Sequence, residues 1–177
     1  MRNATELLSQ YAEYHRDRRN IATHLVGVPL IVFGVGVLLA RPAFMLGGAM
    51  LSPAWMVFAV TAAWYLTRGD LLVDVAVTLV VGVLVALGHS VAYDSVTSWL
   101  AWGLGSFVVG WVIQFIGHYY EGRKPAFVDD LAGLLIGPMF ITAEVLFALG
   151  LRKPLHDEIV RRAGPTLIRD LHPGKHA

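Results

Sequence analysis

The stretch "LLVDVAVTLVVGVLVALGHSVA", residues 71–92, decides how the whole chain is read. It is as long as the ~20 residues that carry a helix across ~30 Å of hydrocarbon. Its one acid, Asp74, lies close to its start. Its apolar residues do not alternate with the period of two that a barrel strand would show, so the run is helical.

Four further apolar runs follow the same pattern at 21–40, 46–66, 98–116 and 131–150, separated by short charged or Gly/Pro-containing breaks. Of the 177 residues 56% are hydrophobic and 15% charged, with mean hydropathy +0.60. A soluble domain carries about 25% charged residues, so these charges are too few to build a polar surface. The expected fold is all-α: an integral membrane helical bundle of four to five transmembrane or re-entrant helices. An amphipathic N-terminal helix is expected over residues 1–20, where Leu7, Leu8, Tyr11, Tyr14 and His15 recur at spacings of three and four. Asn20 is the expected cap of the next helix, after the break "RDRRN". Gly34, Gly36, Pro29, Pro53 and Pro138 are tolerated in such a bundle, where small residues let helices approach closely. Trp64, Tyr65, Tyr93, Trp99 and Tyr119, near run ends, suit the membrane interfaces.

The chain is expected to divide into a membrane domain, 1–150, and a basic tail, 151–177. Arg2, Arg16, Arg18 and Arg19 precede the first run, and six basic residues follow the last. The positive-inside rule puts both ends in the cytoplasm, which requires an even number of crossings. Five runs are odd, so one is expected to be re-entrant or interfacial; the first, interrupted by Thr23, His24 and Pro29, is the candidate. The polar first twenty residues do not read as a cleavable signal. The absence of cysteine excludes disulfides, thiolate ligands and a cysteine nucleophile. A net charge of +1 gives no ground for a nucleic-acid partner.

Four of the seven histidines, His15, His24, His89 and His118, sit at or just inside the ends of apolar runs. An imidazole buried beside lipid costs free energy unless it is partnered. His156, His172 and His176 fall in the polar tail and read as solvated. Imidazole suits iron, zinc, copper and nickel. Read singly, each of the four is an interfacial hydrogen-bonding residue; read together, with carboxylates nearby, they can hold a metal. His15 and His24 converge only if the chain turns between them. His118 and Glu121 share a helix face, so Glu121 is a ligand, an orienter of an imidazole or a partner of Arg123. Glu144, central in its run, marks a functional site, whereas Asp74 can reach water. These residues leave three readings open: a metal-dependent enzyme, a transporter with histidines and Glu144 along a proton path, or a scaffold with interfacial histidines.

Three strings narrow the choice: "YAEYHRDRRNIATHLVGVPLIVFG" from Tyr11, "WVIQFIGHYYEGRKPAFVDDL" from Trp111 and "GPMFITAEVLFALG" from Gly137. Together they resemble the Mpo-type membrane proteins, over roughly residues 11–150. The resemblance implies a dioxygenase that uses Fe(II) and O2 to oxidise 2-hydroxy fatty acids to acids one carbon shorter. It implies metal ligation by His15, His24 and His118, with His89 as a fourth candidate. Asn20, Glu121 and Glu144 become catalytic-site positions. Gln114 joins them near the substrate, and Arg123 or Lys124 would hold its carboxylate. If the first four runs all span, His89 lies at the opposite membrane face from His24 and His118. Surrounding lipid and a homo-oligomeric partner complete the expectations. The expected location is the inner membrane if the chain is bacterial and the endoplasmic reticulum if it is eukaryotic.

Overall fold

The computed structural model describes residues 2–41, 43–125 and 131–171; the tail's His172, Lys175 and His176 lie outside them. In chain order the described elements are α1 (Ala4–Ala12), α2 (Arg18–Ala40), β1 (Phe44–Leu46), β2 (Ala49–Leu51), α3 (Pro53–Tyr65), α4 (Leu71–Ala92), α5 (Val96–Glu121), α6 (Gly133–Ala148) and α7 (Lys153–Ala163). The fold is therefore an all-helical membrane bundle with one small hairpin. Three helices, α2, α4 and α5, are long and apolar enough to cross a membrane. A fourth candidate exists only if α6 and α7, which meet at a bend of 118°, count as one broken span.

The first run is not the weak one. Pro29 lies inside α2 without ending it, and the helix runs unbroken for 23 residues. It also starts earlier than expected. Asp17, not Asn20, is the N-cap, its carboxylate accepting from the Arg19 N–H. Asn20 therefore sits in the first turn with its side chain buried. The amphipathic segment is correspondingly shorter: α1 is opened by an Asn3–Glu6 capping box and ends at Ala12.

The second run splits in two. Gly47 and Gly48 both have positive φ (57° and 84°), the two-residue turn that closes a hairpin between β1 and β2. Ser52 and Pro53 then start α3 as cap and first residue. Its 13 residues rise about 20 Å, short of the ~30 Å hydrocarbon core. Successive helices α2 to α5 alternate in direction and return the chain to the face where it began. The fifth run, α6, does not traverse the bundle: Gly133 and Leu134 line a cavity with Val32 and Trp111, roughly midway along α2 and α5. From there α6 rises to the starting face, where its Phe140 joins Leu7 and Leu8 of α1 and Leu155 and Ile159 of α7 in one apolar cluster.

The most extensive helix pairing among the described residues is α2 with α5. Gly27 and Gly34 on α2, and Gly103, Gly110 and Gly117 on α5, recur every seven residues. In antiparallel register Gly27 meets Gly110, Gly34 meets Gly103, and Gly117 meets Asn20. A Cβ on Gly27 would lie 2.9 Å from the Gly110 carbonyl oxygen, and one on Gly34 2.7 Å from that of Gly103. One on Gly117 would lie 2.5 Å from Asn20 Oδ1. A seven-residue repeat keeps one seam of each helix facing its partner. The side chains flanking this seam, His24 and His118 among them, are thereby brought to fixed depths.

Substituting Gly110 by Ala should lower unfolding stability in detergent by about 1–3 kcal/mol, since the new methyl meets Ile31 and the Gly27 carbonyl. Gly105→Ala, where a Cβ meets nothing within 4 Å, should stay within about 0.5 kcal/mol of wild type. Equal losses from both would contradict the seam.

Candidate metal centre

Three histidines from three segments converge at the end of the bundle covered by α1. His15 lies in the turn after α1, His24 in the second turn of α2, and His118 in the last turn of α5. All three are buried, and one nitrogen from each lies within 4.8 Å of the others. The His15 ring stacks on Tyr11 at 4.1 Å and meets the edges of His24 and His118 at 4.4 and 5.2 Å between centroids.

The protons on these rings can be placed from their partners. His15 Nδ1–H donates to the Tyr11 carbonyl (2.8 Å), and His24 Nδ1–H donates to the Asn20 carbonyl (2.9 Å). A neutral imidazole that donates from Nδ1 carries its lone pair on Nε2. Those two Nε2 atoms face each other at 3.0 Å. Two lone pairs so close repel unless a cation or a shared proton lies by them. A shared proton is disfavoured, because burial, then the neighbouring His24, pushes the His15 pKa well below its usual value. The His118 Nδ1 is buried without a partner, and the Arg123 backbone hydrogen-bonds the same ring. An outer nitrogen held by backbone and an inner nitrogen left free is how metal-binding histidines are oriented. The trio fits a metal ion.

Glu121 is committed elsewhere. Its Oε2 accepts from the Asp17 N–H (2.8 Å) and the Asn20 amide (3.0 Å), and its Oε1 accepts from Arg169 Nε (3.0 Å). Its charge partner is thus Arg169 from the tail, and not Arg123. Glu121 and Asn20 join each other next to the histidines. The Arg19 guanidinium, in turn, holds the Asp17 carboxyl down to about 2.

A cavity of about 60 Å³ opens directly off the cluster, with Tyr11, His24, Gln114 and His118 as its polar lining. Gln114 is buried and its Oε1 has no partner. The cavity shares Ile31, Val32, Trp111, Leu134 and Pro138 with a second, apolar groove of about 310 Å³ that reaches Leu39, Ala54 and Val85. Fifteen residues of α2 separate His24 from Leu39, about 22 Å of depth. One leaflet of hydrocarbon is about 15 Å thick, half of the ~30 Å core.

The side chains of the other expected positions are not in the three-histidine group. The His89 ring hydrogen-bonds Ser52 Oγ (2.8 Å) and the Val85 carbonyl (2.9 Å), and stacks on Trp55. Its neighbour Gly88 abuts Val37, thirteen residues along α2 from His24 and about 20 Å away. His89 therefore belongs to the opposite end of the bundle. Glu144 is half-buried, and the charges bearing on it are Arg16 and His156. Arg123 is exposed, donates to the Glu13 carbonyl (3.0 Å) and lies over Tyr14. Lys124 is exposed too, and neither residue lines the cavity. Sequence reasoning missed Tyr11 and Arg169 as site residues. Tyr11, one helical turn before His15, carried a signal in that spacing, whereas Arg169 carried none.

A family model described as 2-hydroxy-palmitic acid dioxygenase Mpo1-like matches residues 1–149. The chain is similar to the 2-hydroxy-palmitic acid dioxygenase MPO1 of Saccharomyces cerevisiae, with 32% identity over 147 residues, covering 81% of this chain and 79% of that protein. No solved structure matches. The family match takes in all three clustered histidines and both cavities and ends before α7. With a match over most of its length, the chain belongs to the Mpo1-like family.

Proposed function

We propose that this chain is an Fe(II)-dependent membrane dioxygenase that converts 2-hydroxy fatty acids into fatty acids one carbon shorter. One observation carries the reading: three buried imidazoles with inward lone pairs stand at the head of an apolar groove deep enough for an acyl chain. The metal's identity is supported by the family, since imidazole ligands serve zinc equally well. His15, His24 and His118 would hold it. Iron, when bound, supplies the Lewis acidity and redox chemistry that activate O2 towards the 2-hydroxy acid.

The chain's own residues do the rest. The groove takes the alkyl tail directly from the bilayer, which fixes the carboxyl end at the cluster. Gln114 Oε1, a buried acceptor without a donor, receives the hydrogen bond of the 2-hydroxyl. Its own burial pushes the Tyr11 hydroxyl's pKa upward, so it stays a neutral donor for a substrate oxygen. Three neutral ligands leave room for the carboxylate, so no arginine is needed in the cavity. Burial of the three rings excludes bulk water from the reacting carbon. The overall change, R–CH(OH)–COOH + O2 to R–COOH + CO2 + H2O, balances without an external reductant.

Protein purified without oxygen should hold near-stoichiometric iron, and His118→Ala should lose it while staying folded. A folded wild type without metal would remove this reading. Gln114→Leu should retain iron yet lose most of its preference for 2-hydroxy over plain fatty acids, a preference set by pairing a buried polar group. Unchanged discrimination would take Gln114 out of the site. Val57→Trp, at an exposed rim of the groove, should raise KM for long chains and leave iron content unchanged. An unaffected KM would place the tail elsewhere.

A further inference from the structure

We propose that Arg169, beyond the end of the family match, is a positioning residue for the three-histidine cluster and acts through Glu121. Its consequence for metal binding rests on the reading above, while the contacts themselves stand independently. The segment after α7 lies along the turn that carries His15. Leu167 N–H donates to the Arg16 carbonyl and Arg18 N–H to the Leu167 carbonyl, both at 2.9 Å. Arg169 N–H donates to Asp17 Oδ2 (2.8 Å), and the Arg169 carbonyl accepts from Arg19 (2.8 Å). These backbone contacts bring the Arg169 guanidinium to Glu121 Oε1, which accepts from its Nε at 3.0 Å and lies 2.8 Å from its terminal nitrogen.

Glu121 touches all three histidine-bearing segments. It lies one turn after His118 on α5. It accepts from the N–H of Asp17, two residues after His15. It accepts from Asn20, whose carbonyl in turn holds His24 Nδ1–H. One carboxylate therefore ties the turn that carries His15 to the two helices that carry His24 and His118. That carboxylate is fully buried, and a buried charge holds its place only if it is paired. Without Arg169, Glu121 loses the guanidinium on Oε1, and the carboxylate is no longer held in place from that side. His15 is the first to move, because its turn has no helical hydrogen-bond ladder of its own. The tail, from outside the family match, thus completes the support of the site.

The test uses the full chain: anaerobic Fe(II) titration and amide hydrogen exchange on wild type, Arg169→Ala, Arg169→Lys, Glu121→Gln and the double variant. Arg169→Ala leaves the segment's backbone contacts in place. It should weaken metal binding by about 10–100-fold, the usual cost of losing support behind a ligand, and speed exchange over residues 13–17. Arg169→Lys should restore part of both, and Arg169→Ala should add little in the Glu121→Gln background. Unchanged binding and exchange in Arg169→Ala would overturn the proposal. So would a full additional loss in the Glu121→Gln background, which would mean that Arg169 does not act through Glu121. If wild type binds no metal, the dioxygenase reading fails. Exchange over 13–17 then still decides whether Arg169 positions the His15 turn.

Discussion

Bare backbone against bare backbone, along the α2–α5 seam, is the contact on which the rest of this structure depends. In lipid, helices gain nothing by hiding apolar side chains from apolar surroundings, so association relies on close approach and van der Waals contact. Glycines at seven-residue intervals on both helices supply that approach where a methyl group would not fit. The seam ends at Asn20 and Gly117, immediately beside His24 and His118. Two of the three rings are therefore set by helix contact, and only His15 needs the turn, Glu121 and the tail to place it.

The same geometry separates the polar from the apolar half of the site. On the side of α1 and the tail, buried charges neutralise one another: Asp17 with Arg19, and Glu121 with Arg169. On the other side, the cavity shares Ile31, Val32, Trp111, Leu134 and Pro138 with the apolar groove, so the polar and apolar linings meet there. Buried groups without partners, His118 Nδ1, Gln114 Oε1 and Asn20 Oδ1, collect at this junction. Native interiors leave few such groups unpaired; two of these three, on His118 and Gln114, belong to residues that line the cavity.

Much of this was legible in the sequence, for physical reasons that can be named. Helices were visible because α4 is apolar over most of its length, and the histidines because imidazoles at the ends of apolar runs demand partners. The hairpin was hidden because β2 and α3 share one apolar run, in which only Gly47, Gly48 and Pro53 betray the break. His89 has the same composition signal as its three counterparts, and only the direction of α4 places it at the far end. The cap at Asp17 was displaced to Asn20 by reading the break as wider than the chain makes it. The glycine seam was readable as a period of seven on two helices but not as a pairing. Arg169 could not be found at all, since its partner lies 48 residues away and its own segment has no pattern.

The central claim is that His15, His24 and His118 together bind iron and present it to a 2-hydroxy acid. Iron X-ray absorption on the anaerobic protein, before and after adding 2-hydroxypalmitate, tests it most directly. The account predicts a first shell containing imidazole nitrogens that gains oxygen scattering when the acid is added, with the imidazole signature retained. Iron without imidazole scattering, or a first shell unchanged by the acid, would contradict it.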